Sequence, residues 1–132
     1  MGFEDIRVAV ESRMAQWSGA PVAYDGAPNS PTLQAAIDAK DSWVRCVISH
    51  GDSQTAALGS APEVRRLGII RLNVMTPERQ GSRPAALLAD SLAEHFQYYT
   101  SGHLVTLAAS VTRVGPENGW YEYVVRIPFR AG

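Results

Sequence analysis

The chain has 132 residues, 45% of them hydrophobic, which is the size of one domain with an ordinary core. Twelve Lys and Arg against 13 Asp and Glu leave a net charge of -1, without the basic excess of a dedicated DNA-binding domain. No apolar run approaches the roughly 20 residues that span a bilayer, and Glu4, Asp5 and Glu11 interrupt the stretch a signal segment would need, so a soluble chain made in the cytoplasm is expected.

Phe3, Ile6, Val10, Met14 and Trp17 recur at spacings of three and four, which predicts an amphipathic opening helix stopped at Ser18-Gly19. Ala20 to Asp25 reads as a short extended segment, followed by a connector broken by Gly26, Pro28 and Pro31. Thr32 to Asp41 fits one helical turn or an irregular loop.

Trp43 to His50 alternates as a half-buried strand, with Val44, Cys46 and Ile48 inward and Arg45 and Ser49 outward. The lone Cys46 has no intrachain partner for a disulfide and reads as a small core residue. Gly51 to Glu63 is small and polar, a long hairpin excursion or a mobile loop, and loops of that length are functional or disordered. Val64 to Thr76 is a second long strand, with Ile70, Leu72 and Val74 on one face.

Pro77 to Arg83 reads as a turn leading into a helix with Ser82 as candidate N-cap and Pro84 in the first turn. Ala85, Leu88, Ala89, Leu92, Phe96 and Tyr99 form its apolar stripe, with Arg83, Asp90, Glu94 and Gln97 opposite. His103 to Ala109 has strand character, Gly115 to Gly119 is a turn, and Trp120 to Phe129 closes the chain as a strand. Its alternation puts Tyr121, Tyr123, Val125, Ile127 and Phe129 on one face and Glu122, Arg126 and Arg130 on the other. The sum is a single α+β domain over residues 1–132, a mostly antiparallel sheet flanked by two main helices.

Chemical apparatus is missing at the level of motifs. His50, His95 and His103 have no companion ligand at zinc spacing, Asp90 and Glu94 sit on a solvated helix face, and Gly51-Asp52-Ser53 and Gly81-Ser82-Arg83 match neither a nucleophile elbow nor a phosphate loop. No catalytic, cofactor-binding or metal-binding residues are assigned, and no enzyme activity or cofactor is expected. Arg65, Arg66 and Arg71, and Arg126 with Arg130, leave open a nucleic-acid module. A small α+β enzyme with a site assembled from distant residues is a further alternative.

The ordered segments resemble the tail terminator proteins of long-tailed bacteriophages across nearly the whole chain. The resemblance rests on the opening helix, Pro21-Val22-Ala23-Tyr24 with Pro28 and Pro31, and Arg66 through Val74. It continues with Pro77-Glu78-Arg79-Gln80-Gly81, Ala85 through Asp90, Gly119-Trp120-Tyr121, and Ile127 through Arg130. Tyr24-Asp25-Gly26-Ala27 departs from the family's usual Trp/Tyr-Pro-Asn stretch. The resemblance implies a sheet flanked by helices, akin to tail-tube subunits, and a homo-oligomeric ring, usually hexameric, at the head–tail junction of the virion.

Such a ring would cap the tail tube, end its polymerisation and join a head connector protein, with DNA passing through unbound and no membrane involved. Another head–tail joining or tail-tube subunit is the alternative within structural proteins. A closed ring needs a head-to-tail contact between two different patches. The expected interface residues are Asp52, Gln54, Leu58, Glu63 and Arg65 in and beside the long excursion, and Glu122 and Arg126 on the last strand.

Overall fold

The computed structural model describes residues 1–59 and 63–132. Its elements run α1 (Phe3–Ala15), β1 (Val22–Tyr24), α2 (Pro31–Asp38), β2 (Trp43–His50), β3 (Gln54–Ala57), β4 (Glu63–Pro77) and α3 (Arg83–Phe96). Then follow β5 (Thr100–Ser101), β6 (Leu104–Thr106), β7 (Ser110–Glu117) and β8 (Trp120–Ala131). The fold is α+β, as expected, with a mixed sheet because β1 runs parallel to β2 while the other pairings are antiparallel.

The sheet is ordered β1-β2-β4-β8-β6-β5 among the described residues, with β3 added to β4 and β7 to β8. β4 and β8 pair without a break from Arg66↔Ala131 to Pro77↔Trp120. The period-two alternation of both strands therefore stays in phase, and Ile70, Leu72 and Val74 share a face with Val125, Ile127 and Phe129.

On that face lies the core. Ile6, Val10, Met14 and Trp17 reach it from α1 and the residues just after it, and Ala85, Ala89, Leu92 and Phe96 from α3, all nearly fully buried. Phe3, expected in the stripe, is half exposed and instead lies against His50 and under the Arg66 guanidinium. The two helices are tied together at their C-terminal ends. The Arg13 guanidinium donates to the His95 carbonyl at 2.7 and 3.1 Å, His95 Nε2 donates to the Arg13 carbonyl at 2.7 Å, and Trp17 Nε1 donates to Ser91 Oγ at 2.9 Å. His95 is thus a structural clamp.

Three differences from the sequence reading have local causes. The ambiguous segment after the prolines is helix α2, because Ser30 Oγ accepts from the Leu33 amide and Pro31 occupies the first helical position. The strand expected over His103 to Ala109 narrows to β6, and the chain then forms β7, which the sequence reading placed partly in a turn. The reversal itself is only Asn118-Gly119, with φ of 53° and 85°, the left-handed pair of a tight hairpin. Ser82 is the N-cap of α3 but through its carbonyl, which accepts from the Ala86 amide, and not through its side chain.

Gly68 sits where β2, β4 and β8 meet, paired with both His50 and Phe129. A β-carbon there would stand 2.4 Å from Phe129 Cζ and 2.6 Å from the Ser49 carbonyl oxygen. The carbonyl belongs to backbone held in the ladder and cannot yield. Gly68→Ala is expected to cost about 1–3 kcal/mol, read as a lower midpoint in urea denaturation, and an unchanged midpoint would show that this junction is loose. Cys46, 2% exposed, has its thiol pushed up to about 12 by burial, with smaller contributions from the Glu11 and Asp25 carboxylates. A maleimide at pH 8 should therefore leave the folded chain unlabelled for far longer than the denatured chain; equal rates would contradict the burial.

Candidate functional site

The excursion between β2 and β4 is a hairpin arm. Gly51 closes its base by donating to the Leu67 carbonyl at 2.8 Å, and β3 then pairs with the start of β4 through Gln54↔Arg65, Thr55↔Val64 and Ala57↔Glu63. Pairing of β4 with β8 begins only at Arg66, so the arm extends beyond the end of the main sheet. Every residue of β3 is exposed, and Leu58, which follows it, keeps 90% of its surface in solvent. The part of the excursion at residues 60–62 lies outside the described residues.

Asp52, Gln54, Leu58, Glu63 and Arg65 are therefore gathered on one arm. Asp52 and Gln54 line a shallow groove with Ser49, Leu67 and Ile69, while Glu63 and Arg65 line a cleft with Met1, Arg66, His103 and Gly132 on the other. Glu122 and Arg126 lie elsewhere, on the sheet face that α1 and α3 leave open. There Glu122 accepts from Asn73 Nδ2 at 2.6 Å and Arg126 donates to Thr112 Oγ1 at 2.7 Å. The seven expected interface residues thus form two surfaces.

The arginines sort in a way their sequence spacing concealed. Arg66, next to Arg65, turns toward the helices, donating to the Met1 carbonyl and to Ser53 Oγ and stacking over Phe3 at 4.2 Å. Arg71 points the opposite way and is paired directly with Arg126 across the β4–β8 ladder. Arg45 on β2 and Arg130 on β8 share that open face, because Arg45 is in register with Asn73 and Arg130 with Leu67. The trio Arg65, Arg66 and Arg71 therefore makes no single patch. The cluster is Arg45, Arg71, Arg126 and Arg130, and strand register alone would have identified it.

On the helix side, a cleft of about 370 Å³ opens between α1 and β2, lined by Phe3, Glu4, Arg7, Glu11, Asp25, Cys46, Ile48 and His50. Arg7 is held by Glu4 and Glu11, and its hydrogen bonding lowers the Glu4 carboxyl below the usual range. The Cys46 thiol at this cleft is protonated, so it offers no ready nucleophile. Among the described residues no group of three or more His, Cys, Asp or Glu could hold a metal ion. No helix among them is long and apolar enough to cross a membrane.

Tyr121 and Tyr123, which the alternation placed on the apolar face, are half-buried there. Arg113 hydrogen-bonds the Tyr121 hydroxyl at 3.2 Å, lowering its pKa, and the neighbouring Tyr121 raises that of Tyr123. The two rings lie against each other, their centroids 5.5 Å apart.

A solved protein structure superposes with a TM-score of 0.73 over 100% of this chain and 96% of the other, at 21% identity, a likeness of fold. No curated protein matches the chain in sequence. The sequence matches the phage tail terminator protein family over residues 5–129, nearly its whole length. The chain therefore belongs to the phage tail terminator family and is a structural component of the bacteriophage tail.

Proposed function

We propose that the chain is the ring-forming subunit that caps the tail tube, ends tube polymerisation and presents a docking surface to the head connector protein. The observation that carries this reading is the family match over residues 5–129. Two physical features support it. The arm built from β3 and the start of β4 leaves Asp52, Gln54, Leu58, Glu63 and Arg65 exposed to solvent. An arm of that kind can gain its contacts from a neighbouring subunit or the tube end while the core stays rigid.

The second feature is the separation of the arm from Glu122 and Arg126 on the open sheet face. A cyclic ring uses two different patches on each subunit, and the chain offers distinct exposed surfaces for them. The ring is expected to be a hexamer, assembled in the host cytoplasm and placed at the head–tail junction, with DNA passing through it without specific binding.

Light scattering with electron microscopy of the purified chain should show closed rings with a hole wide enough for duplex DNA. Open filaments would instead identify a tail-tube subunit, and a monomer at every concentration would overturn self-assembly of the isolated chain. Replacing residues 52–65 with a two-residue turn should leave a folded protein, because Gly51 and Leu67 already approach within hydrogen-bond distance. That variant should lose ring closure or give tails of irregular length; unchanged rings and unchanged tail length would remove the arm from the interface.

A further inference from the structure

Charge is segregated across the sheet. Four successive cross-strand positions of β4 and β8 on the face away from α1 and α3, from Asn73↔Val124, where Val124 is buried, through Arg71↔Arg126 and Ile69↔Pro128 to Leu67↔Arg130, carry Arg71, Arg126 and Arg130. Arg45 joins the first of these rows from β2. These rows hold no carboxylate. Glu122 and Glu117 lie toward the Trp120 end beside Met75, and Glu122 is engaged by Asn73.

None of the four arginines has an ion-pair partner among the described residues, where the ion pairs are those of Arg7 with Glu4 and Glu11. Arg71 and Arg126 stand directly opposite each other, an arrangement that destabilises a sheet unless something negative lies over it.

The complement is present on the same chain. The α1 cleft carries Glu4, Glu11 and Asp25 against one guanidinium, that of Arg7. It lies on the helix side of the sheet, since its floor is formed by Cys46 and Ile48, which point toward the core face. Glu4 and Glu11 are two helical turns apart, about 10 Å, and Arg126 and Arg130 are about 13 Å apart along their strand.

We infer that the arginine face of one protomer docks on the acidic α1 face of the next copy of this chain. This rests on the ring reading above and adds a charged part to its head-to-tail contact, beside the arm. Patches of opposite sign on different faces of one chain make the contact head-to-tail, so each added subunit presents again the face that the next one needs, and a fixed rotation between neighbours closes the ring. Like faces repel, which disfavours a two-fold dimer. The arginines can meet carboxylates bidentately, and the contact relieves the Arg71–Arg126 repulsion.

The test uses two charge-reversed chains, one carrying Arg71→Glu and Arg126→Glu, the other Glu4→Lys, Glu11→Lys and Asp25→Lys, each checked for native circular dichroism. The sites are on the surface, and mixing provides a second readout that does not depend on either chain alone. Each variant by itself should associate about 100-fold or more weakly than the wild type. An equimolar mixture should recover assembly, because each variant then presents what the other lacks, and wild-type assembly should weaken as NaCl is raised.

Wild-type strength in both single variants would overturn this contact while leaving the ring intact. A wild-type chain that never assembles would overturn the ring reading and this inference together. Unchanged assembly with loss of salt-dependent duplex DNA binding in the arginine variant would assign the face to a phosphate backbone and overturn the proposal.

Discussion

The unbroken ladder between β4 and β8 is the constraint on which the other elements depend. A slip of one residue would turn Ile70, Leu72, Val74, Val125 and Ile127 to the open face and bring the arginines against α1 and α3. The closeness of Gly68 to Phe129 and to the Ser49 carbonyl fixes the same register from the side, since no residue with a side chain fits there. Once the ladder is set, β4 is long enough for its first residues to leave the sheet as one strand of the arm. The far edge of β8 is long enough to take β6 and β7 one after the other.

The same register sorts the charges. A net charge of -1 describes a chain that sets four of its twelve Lys and Arg on one face of the sheet while Glu4, Glu11 and Asp25 crowd a cleft on the other. Arg45, Arg71, Arg126 and Arg130 have no ion-pair partner among the described residues, and Glu4 and Glu11 share the one guanidinium of Arg7. Arg13 and Arg66 show the contrast, because both lie on the helix side and spend their donors on backbone carbonyls that close the structure. Position across the sheet, more than residue type, separates the arginines that hold the protomer together from those free to hold something else.

Much of this was legible without coordinates. The helices α1 and α3 and the strands β2, β4 and β8 each bury one face, so their apolar residues fall on a recognisable period. What escaped was structure that buries no continuous face. β7 is exposed at nearly every position, and Gly115 and Pro116 within it read as a turn when only Asn118-Gly119 reverses the chain. The eight residues of α2 carry a short stripe of Leu33 and Ala36, although Ser30-Pro31 was a readable start signal. The interface candidates were found individually by exposure and polarity. Their division into an arm and a sheet face depended on strand pairing, which periodicity does not reveal, and Arg45 joins the cluster only through its register with Asn73.

The outer strands of the sheet have one further consequence. β1 has three residues and β5 two, too few to template a long intermolecular ladder. β7 is longer, but its register shifts between Arg113 and Gly115, and Pro116 has no amide hydrogen to offer. Strand-by-strand addition between copies, the indefinite growth that leads to fibrils, thus finds no long regular outer strand in the main sheet among the described residues.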